Sequence, residues 1–297
     1  MSTEQTEWKN RPERSFTPII HFMIWLSLTL GRRASRLILY GIVLYFLLFG
    51  PSIRRASKDY LRRVLGRKPT VRDRWRHVLC FASVVHDRVY WLRGQAHLFQ
   101  VTVSGEPMLR SLAASGRGII FLGAHYGSFE VLRALGEQHA FDLKMLVYPD
   151  NARRIMAALS AVDPKMAGRL ITLGHPESIL HVRDHLAAGG DIGILGDRAS
   201  ADDKNRTLPF LGGPALFPTG PLRLSAMLHA PVVFMAGTYL GGNRYHLSFE
   251  LVADFGADAS GQEQALERYV SLLEQCCLEA PYNWFNFYDF WKTAPPP

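Results

Sequence analysis

The alternation of apolar and polar positions changes character near residue 100. Before it, two runs without Asp, Glu, Lys or Arg, residues 15–31 and 37–53, are separated by Arg32, Arg33 and Arg36. After them Ile53, Ala56, Tyr60, Leu61, Val64 and Leu65 recur at helical spacing, with Arg54, Arg55, Lys58, Arg62 and Arg63 filling the rest of the turn. Residues 53–98 therefore read as helical, beginning with a basic amphipathic helix. Beyond residue 100, short apolar runs alternate with amphipathic ones. Strands are predicted over 100–104, 118–124, 143–148, 169–173, 191–196, 231–238 and 245–252. Helices are predicted over 106–115, 129–138, 152–162, 176–188, 219–229 and 262–279. Such βα alternation implies an α/β fold, a mainly parallel sheet flanked by helices. The division it suggests is an N-terminal helical membrane-associated arm, 1–98, and an α/β domain, 99–297, with disorder in the first dozen residues and in Pro295-Pro296-Pro297.

Charge sharpens that division. Of 34 Lys and Arg and 26 Asp and Glu, residues 1–100 hold 18 and 6, so the arm carries +12 and the remainder −4. An anionic surface is the expected partner. Nucleic acid is not, since no helix-turn-helix, zinc or RNA-binding signature accompanies the charge. Each apolar run is 17 residues long, at the lower limit of ~17 for a spanning helix. A two-pass hairpin would also carry Arg32, Arg33 and Arg36 across the bilayer against the positive-inside bias. A shallow or re-entrant anchor fits better than a span. The amphipathic helix either lies on the bilayer or packs on the domain behind it. Glu4, Glu7 and Glu13 precede the first apolar run, and Arg32-Arg33 stands where a cleavage site would be, so no signal peptide is expected. The chain is therefore expected to stay on the cytoplasmic side. Cys80, Cys276 and Cys277 read as reduced core residues without metal spacing. His181 and His185 lie one helical turn apart but lack a third ligand, so no metal is assigned. No cofactor is expected, for the chain has no nucleotide-binding fingerprint and no Gly-x-Ser-x-Gly elbow.

The chemistry concentrates at His125-Tyr126-Gly127-Ser128-Phe129-Glu130, after the apolar run Gly118-Ile119-Ile120-Phe121-Leu122-Gly123-Ala124. Phe129, Val131, Leu132 and Leu135 carry helical spacing, so this is a strand-to-helix turn, where open α/β sheets collect their active sites. A histidine with a carboxylate five positions on reads either as a base with an orienting partner or as a buried structural pair. In the first case Gly127 lets Glu130 reach back to one imidazole nitrogen and leaves the other free to accept a proton.

The hexapeptide resembles the His-x4-Asp/Glu block of the glycerolipid and lysophospholipid acyltransferase superfamily, and further blocks follow in order. Gly196-Asp197-Arg198 closes the run Asp191-Ile192-Gly193-Ile194-Leu195 where the family places an acceptor-binding arginine. Phe217-Pro218-Thr219-Gly220-Pro221 resembles the third block and Ala230-Pro231-Val232-Val233 the fourth. Leu211-Gly212-Gly213-Pro214-Ala215 and the stretch Val101 to Glu130 are similar to the bacterial lipid A late acyltransferase branch. That branch usually has Asp-Gln where this chain has Asp197-Arg198. The chain is therefore placed near it, similar to predicted acyltransferases associated with aryl-polyene pathways.

The resemblance implies a membrane-associated enzyme that moves a fatty acyl group from an acyl thioester, on acyl carrier protein or CoA, to a hydroxyl of a lipid or glycolipid acceptor. His125 would be the general base, oriented by Glu130. Gly127, Ser128, Asp197, Arg198, Pro218, Thr219, Gly220 and Arg223 would bind substrate. In this assignment Arg198 holds an anionic group, and the amides around Gly127 or Thr219-Gly220 bind the oxyanion. Thr219 reads equally as the N-cap of the next helix. The same dyad acting on water would make a thioesterase or lipid hydrolase, and an inactive fold would be a lipid-binding scaffold. Lastly, Tyr282, Trp284, Phe285, Phe287, Tyr288, Phe290 and Trp291 fall within ten positions. They read first as a strap closing the core, and alternatively as a wall of the acyl channel or an interfacial belt.

Overall fold

The computed structural model describes residues 17–132, 142–147, 168–174, 176–199, 204–256 and 259–293. Most of the predicted helix 129–138, all of 152–162 and both chain ends lie outside the described residues.

Seven strands form one sheet: β1 (Gln100–Ser104), β2 (Ile120–Gly123), β3 (Leu143–Val147), β4 (Leu170–Thr172), β5 (Asp191–Leu195), β8 (Pro231–Gly241) and β9 (Arg244–Asp254). Their order is β1-β9-β8-β2-β5-β3-β4. Every neighbour pair is parallel except β8 and β9, which form a hairpin across Gly241 and Gly242, both at positive φ. The mainly parallel α/β sheet expected from the alternation is thus observed. Parallel strands buried on both faces need apolar residues at every position, and β2 is buried throughout.

Between β5 and β8 a second, two-stranded sheet appears that the pattern did not predict: β6 (Asn205–Phe210) and β7 (Gly213–Pro218). Pro209 and Pro214 argue against strands by sequence, but here they stand opposite each other in an isolated ribbon. The turn places Leu211 at φ 48 and Gly212 at φ 72. A two-residue turn with positive φ at both positions matches the twist of a hairpin.

On the N-terminal side, α1 (Thr17–Phe49) is one long element broken at Gly31, whose φ of 74 and ψ of 168 interrupt the helix. Residues 17–31 of the first apolar run and 37–49 of the second are therefore consecutive halves of a kinked rod, not arms of a hairpin. Arg32 and Arg36 point inward. Arg32 makes two 2.8 Å hydrogen bonds to Asp87, which is fully buried on α3 (Val71–Leu92). Arg36 donates to the Tyr239 hydroxyl at 2.7 Å and lies 3.6 Å from Asp87. Ser35 hydrogen-bonds His86 at 2.7 Å. Trp25, Leu30, Leu37, Tyr40, Leu44, Leu48 and Phe49 remain exposed on α1. Among the described residues no single helix is long and apolar enough to cross a membrane. The pair Trp25–Phe49 and Pro51–Leu65, bent by 94°, passes by length and composition.

Helix α2 (Pro51–Leu65) decides between the two readings of the basic amphipathic segment, in favour of packing on the domain. Its stripe faces protein: Ala56, Tyr60, Leu61 and Val64 are buried, and Tyr60, Leu61 and Val64 belong to the same core cluster as the sheet residues Ile120 and Ile194. Periodicity announces an apolar face without saying what covers it. The basic face stays outside, with Arg54 donating to the carbonyls of Leu47 and Leu48 at the end of α1. Further helices among the described residues are α4 (Glu106–Ala113), α5 (Pro176–Ala187), α6 (Gly220–Met227) and α7 (Gln262–Glu279).

The Arg32–Asp87 pair generates a stability prediction. Removing one partner of a buried ion pair leaves the other charge uncompensated, at a cost of about 3–5 kcal/mol. Asp87→Ala should lower the unfolding free energy in detergent by that amount. A loss under about 1 kcal/mol would show that the helix is held otherwise.

Candidate active site

The site lies at the carboxyl ends of three neighbouring strands, β5, β2 and β8. His125 follows β2 by two residues, Asp197 follows β5 by two, and Gly237 lies on β8. Backbone bonds hold the turn after β2 on both sides. The Gly127 N–H donates to the Asn283 carbonyl at 2.7 Å, the Ser128 N–H to the Gly237 carbonyl at 2.8 Å, and the Phe285 N–H to the His125 carbonyl at 2.7 Å. Gly127 sits at φ 53, where a Cβ would collide with the carbonyl of Gly237. Glycine is required there by backbone angle and by contact.

The pairing of the histidine differs from the expectation. His125 Nδ1 bonds Asp197 Oδ1 at 2.7 Å, not Glu130. Glu130 stands at the start of the helical turn 130–132. There it accepts from the Ser128 hydroxyl at 2.9 Å and forms an ion pair with Arg88 of α3. Parallel pairing of β2 with β5 brings Asp197 to the imidazole across 72 positions of sequence. A carboxylate on Nδ1 fixes the proton there and leaves the Nε2 lone pair outward. The His125 side chain is 29% exposed, while Asp197 is fully buried.

Three donors complete the Asp197 carboxylate. Oδ1 accepts from His125. Oδ2 accepts from the Trp284 indole N–H at 3.1 Å and from Asn286 Nδ2 at 2.7 Å. Burial alone acts to raise the pKa of this carboxyl. Attraction to and the hydrogen bond from the His125 ring, the Arg198 charge and the bond from Asn286 prevail and hold it well below the usual carboxylate range. For His125, desolvation lowers the pKa first, the Arg198 charge lowers it further, and Asp197 opposes both. The net effect is a neutral imidazole at neutral pH.

Arg198 donates from Nε to Asn286 Oδ1 at 2.7 Å and lies over the Tyr288 ring, 5.8 Å from its centroid. The aromatic run is thus both a core strap and a wall of this site. Trp284 and Phe290 are buried in the main core, while Asn286 and Tyr288 meet Asp197 and Arg198. The strap is sutured to β8 by Asn283, whose side chain accepts from the Tyr239 N–H at 2.9 Å and donates to the Tyr239 carbonyl at 3.2 Å. Behind it, His77 Nε2 bonds the Trp284 carbonyl at 2.7 Å and Nδ1 bonds Ser57 at 2.9 Å. Burial drives the pKa of His77 down to about 4, so this brace is neutral.

The predicted binding residues separate into two groups. Gly127, Ser128, Asp197 and Arg198 gather around His125. Their backbone is committed, however: the Gly127 and Ser128 amides already donate to Asn283 and Gly237, which removes them as oxyanion donors. Thr219 donates from both its N–H and its hydroxyl to the Lys204 carbonyl, at 2.9 and 2.8 Å, and makes no side-chain cap. Pro218 is buried at the end of β7, Gly220 opens α6 and Arg223 is exposed on it. No hydrogen bond among the described residues joins these four to His125. Sequence reasoning did not single out Arg88, Asn283 and Asn286. Two asparagines three apart in an aromatic run were a usable signal, because buried amides need partners.

These dispositions suit proton transfer at His125 Nε2 beside a fixed positive charge. No curated protein sequence matches the chain. The sequence model of the family described as bacterial lipid A biosynthesis acyltransferase matches residues 9–293, nearly the whole length. The chain belongs to that family and is an acyltransferase that acts on lipid.

Proposed function

We propose that the protein transfers a fatty acyl group from an acyl thioester, carried by acyl carrier protein or CoA, to a hydroxyl of a lipid or glycolipid acceptor, with His125 as general base. The observation that carries this reading is an imidazole whose Nδ1 is bound to a buried carboxylate, at the carboxyl ends of parallel strands in an acyltransferase chain. Nε2 takes the acceptor hydroxyl proton as the oxygen attacks the thioester carbon. The C–O bond forms, the C–S bond breaks, and the proton passes from Nε2 to the departing thiolate. Asp197 fixes the tautomer and stabilises the imidazolium. Arg198 supplies positive charge toward an anionic group of either substrate, and Glu130 supports the site through Arg88 and Ser128.

The exposed apolar side chains of α1, with Phe81 and Val85 of α3, support attachment to the cytoplasmic face of a bacterial inner membrane. On this reading α1 lies in the interface, and the basic face of α2 meets anionic headgroups.

His125→Ala should lower transfer by about 10²- to 10⁴-fold, the usual contribution of a positioned base. Asp197→Asn should come close to that loss, and Glu130→Gln should cost less. Equal or greater loss in the glutamate variant would return the orienting role to Glu130.

The pH profile offers a second check. Positive charge at Arg198 disfavours the imidazolium, so Arg198→Ala should raise the pKa of His125 and move the acidic limb of kcat/KM to higher pH. A limb that stayed in place or moved to lower pH would separate Arg198 from the base electrostatically.

Membrane binding is tested by flotation with vesicles of varied anionic content. Leu37→Gln, Leu44→Gln and Leu48→Gln combined should reduce flotation at every composition. Arg55→Gln with Arg62→Gln should reduce it chiefly on anionic vesicles and at low salt. Unchanged flotation in the triple variant would rule out α1 as the anchor.

A further inference from the structure

Asn286 occupies the gap between the two charged groups of the site. Its amide is buried, at 2% exposure, and both ends are engaged. Arg198 Nε can only donate, so Oδ1 must face it, and the Asp197 carboxylate can only accept, so Nδ2 must face that side. The orientation of the amide is therefore forced by its neighbours. Few side chains can bridge a guanidinium and a carboxylate in this way: a carboxylate would repel Asp197, an ammonium would repel Arg198, and an alkyl group would leave both polar atoms short of a partner.

We infer that Asn286 is a positioning residue for acyl transfer, an amide that fixes the Asp197 carboxylate on His125 and the Arg198 guanidinium beside it in one arrangement. The inference rests on the proposed role of His125 as base. Asn286 is buried, and its side-chain hydrogen bonds go to Asp197 and Arg198 and not to the imidazole, so its effect reaches the reaction through those two groups. Asp197 Oδ2 would keep only the longer indole bond from Trp284 without it, and the plane of the carboxylate would then be free to turn away from Nδ1. Misplacement of a catalytic group by about 1 Å can cost on the order of 10²-fold in rate.

The test compares Asn286→Leu, Asn286→Asp and His125→Ala in full-length protein, measured as acceptor-dependent thioester consumption across pH, with thermal melting alongside. Asn286→Leu should lower kcat about 10- to 100-fold with a smaller change in KM. Asn286→Asp has nearly the same shape but behaves differently with pH. Two carboxyls sharing a buried site cannot both ionise easily, so the new one is raised above its ordinary value. While protonated it offers one donor and one acceptor, as the amide does. Activity of Asn286→Asp should therefore be nearest to wild type at the acidic end and fall as pH rises, opposite to the His125 limb.

A kcat within twofold of wild type in Asn286→Leu would overturn the inference. So would uniform loss in Asn286→Asp at every pH with an unchanged melting temperature. If Asn286→Leu does not fold, the pH dependence of Asn286→Asp decides alone. Near-normal transfer by His125→Ala would bring down the reading of the site itself, whereas a dead His125→Ala beside normal Asn286 variants removes only the positioning role.

Discussion

A fully buried carboxylate must be matched by donors, and Asp197 is the group around which this site is arranged. Two of its donors come from the C-terminal strap and the third is the imidazole at the end of β2. Leaving such a charge unmatched costs several kcal/mol. Formation of the site and docking of the strap are therefore one event. That dependence accounts for the layers behind the strap, where Asn283 joins it to β8 and His77 joins it to α3. Neither bond involves His125 or Asp197, yet each fixes the peptide from which Trp284 and Asn286 reach the carboxylate.

The same dependence makes the turn after β2 rigid. Its carbonyl and amide groups bond the strap on one side and β8 on the other, which is why glycines occupy both Gly127 and Gly237. At Gly237 a Cβ would meet the carbonyl of Ser128. A rigid turn suits a base that must accept a proton at one fixed point, but it commits the Gly127 and Ser128 amides to Asn283 and Gly237.

Much of this was legible in the chain. Apolar periodicity located every strand of the large sheet, and α7 spans the predicted 262–279. The motif drew attention to His125, and the Gly196-Asp197-Arg198 block to the residues now found beside it. The pairing was not legible. Glu130 is five positions from His125 and Asp197 is 72 away, so proximity in sequence favoured the glutamate. Helix initiation at residue 130 turns Glu130 toward Arg88, while strand order, which spacing does not encode, delivers Asp197. The cover of the amphipathic helix was not legible for a related reason. Tyr60 and Leu61 were read correctly as one face, but their cover was Trp284 and its neighbours from the far end of the chain. The β6–β7 ribbon was hidden by its prolines, which a two-stranded sheet tolerates and a wider one would not.

Helix α3 links these observations to the proposed membrane attachment. Phe81, 37% exposed, is one of the exposed large apolar side chains, as are Leu37, Leu44 and Leu48 of α1. Its ring also lies 5.3 Å from that of Phe285 and 5.2 Å from that of Phe287 on the strap. Two helical turns further on, about 10 Å along the axis at 1.5 Å per residue, Arg88 of the same helix holds Glu130. Between them Asp87 binds Arg32 of α1. One rigid element thus carries the apolar surface, the anchor point of α1 and a contact to the site. A lipid presented at that surface would find the strap residues next to Asn286 already in place. The distance from that surface to the base would then be set by helix geometry.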